Sequence, residues 1–438
     1  MSINSVKGMH DVLGEEVEGF AYIENLLKHI SELYAYNEVR PPVIEQSNLF
    51  VRSVGQSSDV IRKEMYTFSD KGGRSIALRP EFTAGIIRLM VQHKLLLTKE
   101  LPVKVYYLGP VFRYERPQLG RYRQFNQFGV EAVGNDSAEI DADVIALAYT
   151  MLQSLDLENV IIKINTLGDE LSRENYKKAL KNYFAPFITS MCKDCQLRYE
   201  LSPLRILDCK VPNDQEIIKK APKMKDYLSL KALGRFNRLL SLLEALGIPY
   251  EIDDNLVRGL DYYSETVFEF HYVSKSGNDY GAIGAGGHYD KLTKELGGPE
   301  MAGIGFSFGI ERLYSVLKDD GLLELAYANR LDFYVMPLAQ QAQDMALQVS
   351  IELRLAGYRT DLCFEEAKLP NMFKRATRKQ AKYAIIIGED EIKKREVVIK
   401  NLETQKQKNY GIDKLIENIA ADLDVHDHDD ICLVGKEG

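Results

Sequence analysis

VFRYERPQLGRYRQFNQFGVE, Val111–Glu131, is the stretch on which the reading of the fold turns. Val, Tyr and Phe fill its two ends, and Pro117 and Gly120 break its middle, so it reads as two strands joined by a loop. Alternate strand residues share a face. Arg113 and Glu115 therefore point one way on the outgoing strand, and Gln127, Gly129 and Glu131 line one side of the return strand. Arg113, Arg116, Arg121 and Arg123 all fall within the hairpin. Guanidinium groups grip phosphate oxygens in bidentate fashion, so a hairpin armed like this suits a polyphosphate clamp. Taken alone, the segment fits a solvated charged hairpin equally well.

Outward from the hairpin, VKVYYLG upstream reads as a further strand, and one helix starts near Phe82 in FTAGIIRLMVQHKL. An amphipathic helix near the N-terminus carries Phe20, Ile23, Leu26, Leu27, Ile30 and Leu33 on one face. Strand character returns at Arg258–Tyr272 and Ala282–Ala285, and a glycine-rich stretch then leads into a helix at Ile310–Leu317. Long strands with few crossover helices predict an α+β unit built on an antiparallel sheet. Charged helices from about 169 to 250 interrupt it as an insertion. From 329, strands alternate with helices, which predicts a small α/β domain with a mixed or parallel sheet. The expected division is 1–328, 329–425 and a frayed tail 426–438 that carries His426 and His428.

The chain has 438 residues, 45% of them hydrophobic, which is enough for a large core. No apolar run approaches the roughly 20 residues a bilayer requires. MSINSVKGMHDVLGEE lacks the apolar core of a signal peptide. A cytoplasmic protein without a membrane is the expectation. The net charge of −8 speaks against nucleic acid only on average, because binding needs a local basic face. The helix NMFKRATRKQ, with Lys374, Arg375, Arg378 and Lys379, offers one.

Three more segments carry chemistry. RGLDYYSETVFEF, Arg258–Phe270, joins an arginine and paired tyrosines to a strand; the tyrosines suit either a polar ligand or an aromatic core. GAIGAGGHYDKL and AGIGFSFGIERL, at Gly281–Leu292 and Ala302–Leu313, do not have dinucleotide-fingerprint spacing, and no phosphate-binding GxxxxGK[ST] loop exists. Their glycines would instead let a flat ring lie against bare backbone, with Arg312 near a helix N-terminus that favours phosphate. In LRPEFTAG, Glu81 and Thr83 precede a helix, as a local cap or as partners for an ammonium group.

Together these segments resemble the class II aminoacyl-tRNA synthetases, and among them the histidyl enzymes, from KGMHDVLG at Lys7 to about residue 420. YAYNEVRPPVIEQ is similar to motif 1 of the class, with Pro42 as its proline, and implies a homodimer interface. FRYERPQLGRYRQFNQFGVE is similar to motif 2 and GIGFSFGIERL to motif 3. RGLDYYSETVFE and GAGGHYD resemble the two signatures peculiar to the histidyl enzymes. KLPNMFKRATRKQAKYAIIIGEDE resembles the family's anticodon-binding domain.

The resemblance implies L-histidine, ATP and tRNA(His) as partners, with Mg2+ accompanying ATP. It assigns Arg113 and Arg258 as catalytic. Arg113, Arg121, Arg258 and Arg312 would bind ATP. Glu81, Thr83 and Gln127 would hold the α-ammonium of histidine, with Arg113 at its carboxylate and Arg258, also counted among the histidine-binding residues, at the α-phosphate. Glu131 and Tyr263 would bracket the imidazole, beside Tyr262 and Tyr289. Arg116 and Gln118 would meet the tRNA acceptor end. A histidine-sensing paralogue shares the fold, but it lacks the C-terminal domain and tends to lose the arginines that this chain keeps.

Four places depart from the usual pattern: Phe82 for glycine, His288 for arginine in GAGGHYD, Asn126 for a histidine, and Ser264-Glu265 after the tyrosines. Phe82 and His288 bear on the shape of the pocket. Cys192, Cys195 and Cys209 offer three sulfurs, one short of a closed zinc set, and no histidine lies near them. Free thiols and no metal are therefore expected.

Overall fold

Two kinds of side chain alternate along the central strands. Phe128, Val130 and Ala132 of Gln124–Val133, with Ile304, Phe306 and Phe308 of Gly303–Gly309, face one way and are buried. Gln127, Gly129 and Glu131, paired in register with Gly309, Ser307 and Gly305, face the other way. The apolar side packs on the helices Glu15–Leu33, Ala138–Ser154, Leu230–Ala245 and Ile310–Asp319, forming the largest core. The polar, glycine-rich side is left open to build a site. The helix Thr83–Gln92 and the RGLDYY segment close over part of it in a second core.

The structure, a computed structural model, describes residues 3–55, 58, 60–97, 100–116, 122–323, 331–365 and 367–423. Arg121, Gln118 and the tail with His426 and His428 lie outside these. The chain divides into Met1–Glu324 and Leu325–Gly438. The first unit holds an eight-stranded sheet. Its order is Asn37–Glu38, Val103–Phe112, Gln124–Val133, Gly303–Gly309, Asp279–Tyr289, Ser264–Val273, Ile161–Thr166 and Glu251–Ile252. The six inner strands run antiparallel, and each two-residue edge strand pairs parallel to its neighbour. The α+β expectation holds. Among the described residues no helix is long and apolar enough to cross a membrane.

Several local readings change. The strand Val103–Phe112 is continuous through Gly109-Pro110 and ends before Arg113. The ladder stops there because the Arg123 N–H bonds Gly8 and the Tyr114 N–H bonds Glu64, although Arg113 N–H still reaches Arg123. Arg113 and Glu115 are thus not strand residues. Arg258–Tyr263 is irregular rather than extended, with the Asp261 N–H bonded to Val54. The glycine-rich stretch is itself strand, Asp279–Tyr289. Leu33, at the margin of the N-terminal apolar stripe, is exposed.

The insertion is not one body. Its last helix, Leu230–Ala245, sends Phe236, Leu239 and Leu243 into the main core. The preceding part, from Glu170–Phe184 through Met224–Tyr227, keeps its own small core of Tyr176, Leu180, Phe184 and Ile206 among others.

The second unit is a five-stranded sheet in the order Thr360–Leu362, Phe333–Pro337, Tyr383–Ile387, Glu396–Asn401 and Gln407–Gly411. The first three are parallel and the last two antiparallel, so the sheet is mixed. The helix Leu369–Arg378 buries Met372 and Ala376 and leaves Lys374 and Arg378 exposed. Arg375 pairs with Glu365 at 2.7 Å and Lys379 with Asp361 at 2.7 Å, so part of its charge is met on its own surface.

Candidate functional site

On the open face of the large sheet lie two communicating cavities. The outer cleft, about 240 Å³, is lined by Arg113, Arg258, Arg312, Gln127, Glu115 and Glu311, with bare backbone at Gly284 and Gly309. The inner slot, about 50 Å³, is lined by Glu81, Thr83, Gln127, Glu131, Tyr262, Tyr263 and Tyr289, and again by Arg113 and Arg258. Guanidinium groups far apart in sequence thus converge where the cavities join.

Each arginine is held by its own partners. Arg113 donates from Nε to the Pro80 carbonyl at 2.8 Å. Arg258 donates to Glu269 at 2.5 Å, and Glu269 is also 2.8 Å from His271 Nε2. Burial would weaken the Arg258 charge, but Tyr263 and Glu269 beside it hold its pKa above the ordinary value. Arg312 donates to the Ala282 carbonyl at 2.5 Å. Such restraint fixes positive charge before any substrate arrives. Arg116 is exposed at the edge of the described hairpin.

The slot is rich in hydroxyls. Glu131 accepts from Thr83 Oγ1 at 2.7 Å, Tyr289 at 2.8 Å and Tyr107 at 3.4 Å. Burial outweighs these donors and pushes the Glu131 carboxyl up to about 8. Burial likewise raises Tyr107, Tyr262 and Tyr289 well above the ordinary phenol value, so they stay neutral donors. Glu81 accepts the Ala84 N–H at 2.9 Å, so it caps the helix and still lines the slot. Its pKa is raised, chiefly by burial. Gln127 donates from Nε2 to Ser307 at 2.8 Å, while its buried Oε1 has no partner among the described residues. That oxygen is an acceptor waiting for a donor.

Close approach explains two glycines. A Cβ on Gly305 would stand 2.1 Å from Glu131 Oε2, and one on Gly287 would stand 2.7 Å from the Tyr263 ring. Only bare backbone leaves both slot residues in place.

Phe82 and His288 do not shape the slot. Phe82 is sandwiched between the Arg79 guanidinium at 3.8 Å and the Tyr107 ring at 4.4 Å, behind the slot wall. His288 lies among Asp141 at 3.0 Å, Asp290 at 3.1 Å and Arg235 at 3.0 Å. Burial alone would lower its pKa, but Asp141, Asp136 and Asp290 carry it well above the ordinary value.

Tyr107, Ser307 and Glu311 were missed from the sequence. Tyr107 pairs in register with Gly129, so strand alternation signals its side. Both Glu311 oxygens accept the Asn126 N–H, at 2.8 and 2.9 Å, and burial pushes its pKa up to about 7. Nothing in the sequence signals that link. Cys192, Cys195 and Cys209 converge with Asp214, a fourth donor that the motif reading did not include.

Comparison with known proteins places the chain in a family. Residues 8–313 match the family described as Histidyl-tRNA synthetase, and residues 332–422 match the Anticodon binding domain. A histidine--tRNA ligase of Bacillus cytotoxicus is 43% identical over 97% of this chain and 100% of its own. That of Bacillus subtilis is 42% identical over 96% and 99%. The crystal structure of apo Staphylococcus aureus histidyl-tRNA synthetase superposes with a TM-score of 0.81 at 36% identity, covering 95% of this chain and 99% of the other. By sequence over nearly its full length and by fold, the chain belongs to the histidyl-tRNA synthetase family.

Proposed function

We propose that this protein is a histidine--tRNA ligase that activates histidine with ATP and transfers it to the 3′ end of tRNA(His). The observation that carries the reading is the shared lining. Arg113 and Arg258 border both the outer cleft, which Arg312 also lines, and the inner slot around Glu131. Two reactants bound in the two cavities would meet between these guanidiniums.

In the slot, the α-ammonium of histidine donates to Gln127 Oε1, with Glu81 and Thr83 beside it. Glu131 and Tyr263 meet the imidazole nitrogens, and Tyr262 and Tyr289 complete the walls. Imidazole carries two distinct nitrogens, so a carboxyl and a phenol together read its polarity. A slot of buried polar groups penalises any amino acid that leaves them unpaired. ATP occupies the outer cleft, with Arg312 and Arg121 at its distal phosphates. The histidine carboxylate attacks the α-phosphorus in line; a C–O–P bond forms and pyrophosphate leaves. Arg113 and Arg258 orient the carboxylate and neutralise charge that builds on the phosphoryl oxygens. Glu115 and Glu311 line the cleft and are the donor type that Mg2+ takes beside phosphates. Held by them, Mg2+ would supply charge neutralisation at the phosphates.

Arg116 and Gln118 meet the acceptor end of the tRNA. The C-terminal unit, with its basic helix, engages the anticodon, and the enzyme acts as a cytoplasmic homodimer through the Tyr34–Gln46 region. The test is histidine-dependent exchange of pyrophosphate into ATP. Folded protein that binds histidine without exchange would favour a histidine sensor instead.

A further inference from the structure

In the small core of the insertion, Cys192, Cys195, Cys209 and Asp214 turn their ligand atoms toward one point, all within 4.8 Å of one another. Cys192 and Cys209 Sγ are 3.8 Å apart, and Cys209 Sγ is 3.4 Å from Asp214 Oδ2. A tetrahedral zinc ion has Zn–S near 2.3 Å and Zn–O near 2.0 Å, which places two sulfurs about 3.8 Å apart and a sulfur and an oxygen about 3.5 Å apart. The observed edges agree with that figure.

Backbone N–H groups donate to two of the three sulfurs. The Cys195 N–H donates to Cys192 Sγ at 3.4 Å, and the Val211 N–H donates to Cys209 Sγ at 3.5 Å. Asp214 is oriented by the Cys192 N–H at 3.1 Å. Hydrogen bonds of this kind hold ligand atoms in place and tune them for a metal. Three thiolates with one carboxylate carry the same formal charge as a four-cysteine zinc site. Sulfur donors in a closed four-atom set select zinc over magnesium or calcium.

The insertion also has a use for such a staple. Between Glu170–Phe184 and Leu230–Ala245 its helices are short, nine residues at Lys193–Leu201 and seven at Pro212–Ile218, and the core they share is small. Domains of that size are commonly stabilised by a metal. The four residues join the start of Lys193–Leu201, the turn after Pro203–Asp208 and the first turn of Pro212–Ile218. We propose that Cys192, Cys195, Cys209 and Asp214 form a structural Zn2+ site that fixes the insertion. Val257, next to Arg258, packs on this core, so the site also steadies the wall that carries Arg258 and Tyr263. This inference stands apart from the ligase reading, because metal content is measured without activity.

The full chain is purified under reducing conditions without chelator. Its zinc is measured by mass spectrometry, and Co2+ is then exchanged in as a spectroscopic probe. The expected result is about one zinc per chain, and a Co2+ form with thiolate charge-transfer bands and intense tetrahedral d–d bands. Cys195→Ser and Asp214→Asn should lower zinc at least about tenfold, while Cys363→Ser, in the other unit, keeps it. Folded wild-type chain holding less than about a tenth of an equivalent of zinc, with no tetrahedral Co2+ spectrum, would overturn the proposal. So would full zinc content in both the Cys195 and Asp214 variants, or a Cys192–Cys209 disulfide found in the reduced preparation.

Discussion

Gln127→Met separates a binding role from a structural one, because the two predict opposite signs. Among the described residues, Gln127 Nε2 makes one hydrogen bond, to Ser307, and the buried Oε1 has no partner. Methionine has nearly the same length and volume, so packing changes little. Losing the Ser307 bond costs about 0.5–1.5 kcal/mol, and removing a buried unsatisfied acceptor returns about 1–3 kcal/mol. The ligand-free variant should therefore be as stable as the parent, or more stable by about 1 kcal/mol. Histidine loses its acceptor for the ammonium group, and a hydrogen bond to a charged group is worth about 1.5–3 kcal/mol. Affinity should fall by roughly 10- to 150-fold. Urea unfolding gives the first quantity, and calorimetric titration with histidine the second. A variant that loses stability yet binds histidine within twofold of the parent would show that Gln127 Oε1 does not receive the ammonium.

Arg258→Ala should lower pyrophosphate exchange by roughly 10²–10³-fold while histidine binding persists; normal exchange would remove Arg258 from the chemistry. Tyr263→Phe should weaken histidine binding by about 1–3 kcal/mol, and unchanged affinity would place the Tyr263 hydroxyl outside the imidazole contact. The Glu131 carboxyl is held up at about 8 by burial, so the native state keeps a proton that the unfolded chain gives up near its ordinary carboxylate value. Its stabilising effect is full below that ordinary value and is lost as pH rises toward about 8. Ligand-free wild type should therefore lose about 1.4 kcal/mol per pH unit relative to Glu131→Gln across that window. Denaturation curves at pH 5.5 and 7.5 check this, and parallel losses in both proteins would refute it.

Much of the site was legible because strand alternation is a local property. Gln127, Gly129 and Glu131 on one side of the return strand follow from spacing alone, and the register with Gly305 and Ser307 then carries the same face across the sheet. Other parts were not local. Glu269 as the partner of Arg258, and Glu311 against the Asn126 N–H, depend on which strands become neighbours. Phe82 and His288 looked like pocket residues because they adjoin motif positions in sequence. Their side chains take the far side of the wall, where Arg79 and Asp141 meet them.

What the chain declares by itself is residue type and period: an α+β unit, an inserted run of helices, a second α/β unit, and motif arginines, tyrosines and carboxylates suited to a nucleotide and a polar amino acid. Tertiary structure alone decided convergence. It brought Arg113, Arg258 and Arg312 to one cleft, and it added Asp214 to three cysteines. The reason is physical. Periodicity records which face of an element is apolar, whereas contacts between distant segments arise only when those faces are buried together, and no local pattern encodes the partner.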